Sequence, residues 1–420
     1  MASPYLSHEY LRLEKEYDAV TRCNRCGFCE TVCPTYMVSG KETLSPRGRN
    51  QAFRDILEGK NPDPKAAGDI FSTCLTCHAC TNACFSQVPV ARLMSSAREV
   101  SGPKAPARWI EKAVFRLFLP RRRLFSVLVW PAFLAARLCR WLGFLDGVLP
   151  DVPLLFGPEC PPRTGPPSRT AAAVFSGCGI HYLFPGAARA FLRVMEKVDG
   201  GLVCSKPACC GLIPQSAGDP EGAKNLARKV IADFERTGAG TLVVDDDSCA
   251  GFMKGYGELL DGEPGAAAFA AKVRDLSQVL RERGLPEEFA RGAFGGESAT
   301  YHDPCQMGQG RKETRSPREV LRDLSGLKFV ELEESDWCCG GAGTYCLKHP
   351  GLSQDILERK LENIGKTGAG FVVTQAASCL MQIGAGIRRK GWEGTVRALH
   401  LAELLEISRR GGVRSGRGRP

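Results

Sequence analysis

Little in this chain of 420 residues points to a membrane span, a secretory leader or a nucleotide pocket. Met1 to Tyr10 is polar and lacks the apolar core of a secretory signal, so we expect a cytoplasmic protein whose thiols serve as metal ligands and not as disulfides. The segment 103–150 is strongly apolar but is broken by Pro120, Pro131 and the run Arg121-Arg122-Arg123. Its longest nearly unbroken apolar run, Leu124 to Ala136, has 13 residues, whereas a spanning helix needs about 20. No glycine-rich turn suits a dinucleotide, because Gly340-Gly341-Ala342-Gly343 lies inside a cysteine motif. Neither flavin nor nicotinamide is therefore expected on this chain. Aromatic residues do not interleave with the basic runs as they do in nucleic-acid readers, and nucleic acid is not an expected partner.

Charge is unevenly placed. The formal net charge is +10; residues 101–170 carry 11 Lys plus Arg against 4 acids, and the tail 409–420 carries 5 Arg and no acid. The rest is close to neutral, so the basic segments suit an anionic lipid surface or an acidic partner. A hydrophobic content of 43% with 24% charged residues is that of a folded soluble protein, and the length calls for several domains.

Cysteine, by contrast, is abundant, with 20 residues. From Cys23 to Pro34 the chain reads Cys-Asn-Arg-Cys-Gly-Phe-Cys-Glu-Thr-Val-Cys-Pro, the spacing that wraps thiolates around a cubane iron-sulfur cluster. The same spacing recurs from Cys74 to Cys84, with Phe85 in place of the proline. In two-cluster ferredoxins the fourth cysteine of each motif crosses to the other cube. That rule assigns Cys23, Cys26, Cys29 and Cys84 to one [4Fe-4S] cluster, and Cys74, Cys77, Cys80 and Cys33 to the other. Structural zinc would close on four ligands from two short hairpins, not on eight in two interleaved quartets.

Around these motifs, Ser7 is placed to cap a helix through Ala19, and Ser45-Pro46 to open one to about Leu57. We expect Arg47 and Arg49 to be simply part of that capped helix, the alternative being arginines that donate to cluster sulfur. Residues 157–169, with five prolines and two glycines, read as a linker.

Beyond the linker the cysteines repeat. Cys178, Cys209-Cys210-Gly211 and Cys249 are matched by Cys305, Cys338-Cys339-Gly340 and Cys379. Thr237-Gly-Ala-Gly-Thr-Leu-Val-Val aligns with Thr367-Gly-Ala-Gly-Phe-Val-Val-Thr, each after an amphipathic helix, 221–236 or 352–366. With further strands at 171–175 and 201–203, each copy reads as a small α/β layer with cysteines at strand ends. The expected architecture is multidomain: a mostly helical two-cluster ferredoxin-type domain over 1–102, a basic apolar helical connector and linker over 103–169, two Cys-Cys-Gly α/β domains over 170–290 and 291–408, and a basic tail over 409–420.

Adjacent cysteines cannot both reach one tetrahedral zinc without strain, whereas a cluster offers each its own iron. We therefore favour a further cluster in each copy, held by Cys178, Cys209, Cys210 and Cys249 and by Cys305, Cys338, Cys339 and Cys379. Inert sites and redox-active disulfides are the alternatives. His181 and His302 lie three residues from Cys178 and Cys305; a structural role is favoured over ligation. Asp245-Asp246-Asp247 is expected to be a solvated loop, with an oxygen ligand from Asp246 as the alternative. Cys139, Cys160, Cys204 and Cys346 fall outside the pattern and receive no role.

On Cys23 to Pro34, Ser45-Pro46-Arg47-Gly48-Arg49, Cys74 to Cys84 and the duplicated Cys-Cys-Gly modules, the chain resembles the iron-sulfur subunit of glycolate dehydrogenase (glycolate oxidase), a family related to lactate-utilisation proteins and heterodisulfide reductase subunits. Cys338-Cys-Gly-Gly-Ala-Gly-Thr-Tyr345 with His349-Pro350, and Ser248-Cys249 with Lys254 and Tyr256-Gly257, carry the likeness furthest. The resemblance implies a relay of electrons from a separate FAD-containing 2-hydroxyacid dehydrogenase subunit, acting on glycolate or D-lactate, toward quinone or another membrane acceptor. It also implies a cytoplasmic protein with peripheral contact on the inner face of the cell membrane. Catalytic heterodisulfide reductases end each module with Cys-x-x-Cys, but here Asp246 and Ala376 stand at the earlier position. That favours relay over disulfide chemistry. A heterodisulfide reductase-like enzyme and the iron-sulfur subunit of anaerobic glycerol-3-phosphate dehydrogenase remain the alternatives, and no catalytic residue is assigned. The segment 103–150 is expected to dock on the flavin partner or in the headgroup layer, the alternative being internal packing.

Overall fold

A computed structural model describes residues 13–60, 63–101, 172–200, 202–205, 209–292 and 294–411, with six isolated positions between 113 and 138. The expectations for the connector 103–169, for the tail beyond 411 and for a helix start at Ser7 lie outside the described residues. The chain divides into two compact units.

The first unit comprises Met1–Leu117 together with Gly211–Ala223 and Gly340–Ile356, the segments that follow the two Cys-Cys pairs. Its described N-terminal part is built from helices Glu14–Thr21, Pro34–Ser39, Pro46–Leu57, Pro64–Ser72, Ala79–Asn82 and Val90–Ser101. The helix after Ser45 starts as expected: Ser45 Oγ accepts from the Gly48 amide at 2.9 Å, and Pro46 fills the first turn, where its missing N–H costs nothing. Tyr17, Phe53, Leu57, Phe71, Leu93 and Met94 form the core beneath the cysteine loops. Burying each such side chain stabilises by roughly 1.5–3 kcal/mol, enough to hold loops that have no regular structure of their own.

The second unit contains two four-stranded parallel sheets of identical topology. In the first, β1 (Ala172–Phe175), β2 (Val203–Cys204), β3 (Thr241–Val244) and β4 (Val273–Asp275) lie in the order β2-β1-β3-β4. In the second, β5 (Ser298–Tyr301), β6 (Lys328–Phe329), β7 (Phe371–Thr374) and β8 (Arg397–His400) lie in the order β6-β5-β7-β8. Central strands β1 and β7 are buried along their whole length, as helix-covered parallel strands must be. The sequence did not foretell β4 and β8; the short runs Val273-Arg-Asp and Arg397-Ala-Leu-His lack a strand-length apolar pattern. One core joins the copies, with Val174 and Val243 of the first sheet, Tyr301 and Val373 of the second, and Phe191, Leu280 and Leu405 from covering helices.

The strand order reverses between β1 and β3, and again between β5 and β7, which opens a crevice at the carboxyl ends of those strands. The helices that leave these ends cross between copies. Gly251, in helix Asp247–Met253, lies so close to helix Cys305–Arg311 that a Cβ there would sit 2.5 Å from the Gln306 carbonyl oxygen. Gly179, in helix Cys178–Leu183, stands in the same relation to helix Ala377–Arg389, where its Cβ would fall 2.7 Å from that of Ala377.

Candidate iron-sulfur sites

The two ferredoxin-type loops repeat one backbone path. Arg25 and Gly27 have φ of +55° and +86°, and Thr76 and His78, at the matching positions of the second motif, have φ of +51° and +65°. Left-handed conformations at three non-glycine residues are costly, and their recurrence at matched positions marks a shape imposed by what the loops enclose. Cys33, Cys74, Cys77 and Cys80 line a single cavity, so the fourth cysteine of the first motif joins the three close cysteines of the second. Two contacts tie the Cys84 end to the first loop: Asn24 Nδ2 donates to Ser86 Oγ at 3.0 Å, and the Phe28 and Phe85 rings meet edge to face at 5.2 Å. Backbone amides of Thr76 and Val88 donate to Cys74 and Cys84 sulfur at 3.4 Å. Burial, then Glu30 and Cys23, push the Cys29 thiol up to about 12, and burial with Cys74 and Cys33 raises Cys80 as well. Thiols crowded in this way fit a metal cluster, whose cationic irons relieve the repulsion.

Arg49 corrects the expectation of a bland capped helix. Although the cap forms, the Arg49 side chain is wholly buried and its Nη1 lies 3.9 Å from Cys33 sulfur. Nη2 donates to Thr35 and Thr73 hydroxyls at 3.0 and 2.7 Å, which fixes the guanidinium against the cavity wall. Arg47 instead lies against the first loop, where it donates to the Arg25 carbonyl at 3.2 Å and pairs with Glu30 and Glu42 at 2.9 Å. Sequence reasoning missed Arg98 altogether. It donates to the Phe71 and Cys74 carbonyls, and at 2.6 Å to that of Ser216, in the segment after the first Cys-Cys pair. His349 Nε2 likewise lies 3.0 Å from Ser72 Oγ, two residues before Cys74.

In the second unit the duplicated cysteines converge at the strand ends. Cys178 and Cys305 open helices after β1 and β5, while Cys249 and Cys379 sit in the first turn of helices after β3 and β7. Hydrogen bonding with Cys209, then burial, raises the Cys178 thiol, and Cys338 does the same to Cys305. Cys249 is hydrogen-bonded by Cys210 and Cys379 by Cys339; those bonds lower each thiol, yet burial raises both overall. Cys339 and Cys379 sulfurs lie 3.4 Å apart. The structure thus brings together both predicted quartets. Helix N-termini point at each set and favour thiolates. Gly211 and Gly340 follow the Cys-Cys pairs with φ of +97° and +81°, and a Cβ on Gly340 would meet the Ser353 carbonyl oxygen at 2.5 Å.

Asp245-Asp246-Asp247 is not a solvated loop; all three residues are buried, because the two copies interlock there. Asp246 Oδ1 caps its own helix through the Ser248 and Cys249 amides at 2.8 and 3.4 Å, and its Oδ2 accepts the Ala377 amide of the other copy at 2.9 Å. Asp245 accepts from Ser176 Oγ and the Gly177 amide, and burial pushes it up to about 8. Asp247 takes Tyr301 and Gln375 donors of the second copy.

Lys360 was also overlooked. It is fully buried beside Cys338 and Cys339, where the aligned residue of the first copy is Val230, and burial lowers it to about 8. A lysine within the apolar stripe Ile356, Leu357, Leu361 and Ile364 was the available signal. His181 is buried and packs on Tyr182, whereas a His302 ring nitrogen and the Cys339 and Cys379 sulfurs all lie within 4.8 Å of one another. Cys204, at the end of β2, is disulfide-bonded, contrary to the expectation that no thiol would pair.

The chain is similar to known proteins along most of its length. Residues 19–88 match the 4Fe-4S dicluster domain family, and residues 172–254 and 299–384 each match the cysteine-rich domain family of the Cys-Cys-Gly type. A probable glycolate oxidase iron-sulfur subunit of Bacillus subtilis is 32% identical over 91% of this chain and 92% of that protein. The glycolate oxidase iron-sulfur subunit of Escherichia coli is 27% identical over 93% of this chain and 95% of its own length. Lactate utilization protein A of Shouchella clausii is 30% identical over 56% of this chain. The extent of the first match, together with the three matched domains, places the chain in the family of glycolate oxidase iron-sulfur subunits.

Proposed function

We propose that this chain is the electron-transfer subunit of a flavin-dependent 2-hydroxyacid dehydrogenase complex, in which a separate FAD-containing subunit oxidises glycolate or D-lactate and electrons pass on toward quinone. The observation that carries the reading is the pair of matched left-handed cysteine loops, with Cys33 gathered among Cys74, Cys77 and Cys80. We assign Cys23, Cys26, Cys29 and Cys84 to one [4Fe-4S] cluster, Cys33, Cys74, Cys77 and Cys80 to the other, and a further cluster to each Cys-Cys-Gly quartet. Domain boundaries near 102, 169, 290 and 408 belong to the same proposal. Bound there, clusters take up and release single electrons.

The chain's own residues set the conditions. Core side chains under the loops exclude water, amides of Thr76 and Val88 donate to sulfur, and Arg49 places positive charge beside Cys33. The first quartet is the more open. Cys26 is exposed, and Phe28 and Phe85 remain 56% and 81% exposed beside it. An apolar pair at the surface of a redox site suits a protein partner, and we assign it to the flavin subunit. Among the described residues no helix is long and apolar enough to cross a membrane, so contact with a quinone-bearing membrane would be peripheral.

The test is anaerobic co-purification with the flavin subunit, followed by addition of glycolate or D-lactate. Iron-sulfur absorbance should bleach after the flavin is reduced. Flavin reduction with no change at the clusters would sink the reading. Turnover of a heterodisulfide by this chain alone would favour the reductase alternative.

A further inference from the structure

We propose that His302 supplies a nitrogen ligand to an iron of the cluster in the second Cys-Cys-Gly module, so that this centre is held by sulfur and nitrogen while its counterpart in the first module is held by sulfur alone. The inference rests on the reading above that each module holds a cluster.

The backbone places the ring. His302 follows the last residue of β5, and its amide donates to the Val373 carbonyl of β7 at 2.9 Å. The residue is thereby fixed at the crevice where Cys305, Cys338, Cys339 and Cys379 converge. Its side chain is 1% exposed, and neither ring nitrogen makes a hydrogen bond of normal geometry. A buried imidazole without a well-formed hydrogen bond is a rare and costly arrangement that a bound metal would resolve. Distances agree, since a ring nitrogen and the Cys339 and Cys379 sulfurs all lie within 4.8 Å of one another.

The Ser335 carbonyl lies near the ring, and a carbonyl on the second nitrogen is how coordinating histidines are oriented. The first module has no equivalent: three residues before Cys178, where His302 stands before Cys305, is the buried Phe175, and His181 follows Cys178 with its ring packed edge to face on Tyr182.

A neutral imidazole on an iron leaves the cluster less negative than a thiolate at the same position would, and so at a higher potential, as in Rieske centres. The nitrogen ligand and the Lys360 charge would together make the second module the more oxidising of the pair.

The experiment uses the full-length chain, reconstituted anaerobically and poised at reducing potentials, and reads nitrogen hyperfine coupling by pulsed EPR. A signal that Cys338→Ser abolishes belongs to the second module. We expect that signal to carry imidazole nitrogen coupling that vanishes in His302→Ala. His302→Cys should retain the cluster with a lower midpoint potential, which a merely structural histidine would not produce. A second-module signal without nitrogen coupling, or an unchanged potential in His302→Cys, overturns the ligand assignment and leaves the cluster reading standing. If Cys338→Ser removes no signal and no iron, the underlying cluster reading fails.

Discussion

Arg49→Met removes a buried positive charge 3.9 Å from Cys33 sulfur while keeping much of the side-chain volume. A unit charge at about 4 Å contributes roughly 1 kcal/mol at the dielectric of water and roughly 4 kcal/mol at an effective value of 20. For one electron that range is about 40–170 mV. Cluster charge is spread over several atoms farther away than the nearest sulfur, so we expect the lower half, a fall of about 40–100 mV in the midpoint potential of the cluster bound through Cys33. Loss of the donors to Thr35 and Thr73 will also loosen the site, and Arg49→Lys separates the two effects because it keeps the charge and breaks the fork. The assay is an EPR-monitored redox titration of parent, both variants and Arg47→Met, whose parent residue is neutralised by Glu30 and Glu42. The charge argument is refuted if Arg49→Met leaves the potential within about 20 mV of the parent, or if Arg49→Lys falls as far as Arg49→Met.

Three further expectations follow from the second unit. Lys360 is lowered to about 8 from an ordinary 10.5, so the folded, metal-free chain binds fewer protons than the unfolded one between those values. Its stability should rise with pH across that window by up to about 3 kcal/mol, and Lys360→Met should abolish the rise in urea unfolding at pH 7.5 and 10. Asp246→Ala loses a helix cap and orphans the Ala377 amide, which should destabilise the paired modules by about 2–4 kcal/mol in the same assay; an unchanged midpoint would refute the interlock. Cys338→Ser or Cys209→Ser should stop electron delivery to an external acceptor while substrate still reduces the partner's flavin, and loss of flavin reduction in an intact complex would contradict the relay.

The ferredoxin motifs, the duplication and the placement of cysteines at strand ends were all legible, because spacing alone encodes them. What misled was local chemistry read without its neighbours. Three consecutive aspartates look solvated, yet Asp246 reaches across to the Ala377 amide, and no local pattern announces a partner 131 residues away. Arg49 reads as helix surface in the sequence, although its position in Ser45-Pro46-Arg47-Gly48-Arg49 turns it inward while Arg47 pairs with Glu30 and Glu42. A histidine near a strand end reads as structural in the sequence; that neither His302 ring nitrogen makes a hydrogen bond of normal geometry is visible only in three dimensions. The short strands β4 and β8 were missed because each is made by pairing with a central strand and not by its own residues.

The central claim is that two interleaved quartets each hold a cubane cluster. Iron and acid-labile sulfide per chain, after full anaerobic reconstitution, test it most directly. The account predicts at least about eight of each, with more if the Cys-Cys-Gly modules are loaded, and a loss confined to one cluster's share in Cys33→Ser. Fewer than about eight irons per chain in the fully reconstituted parent would contradict it.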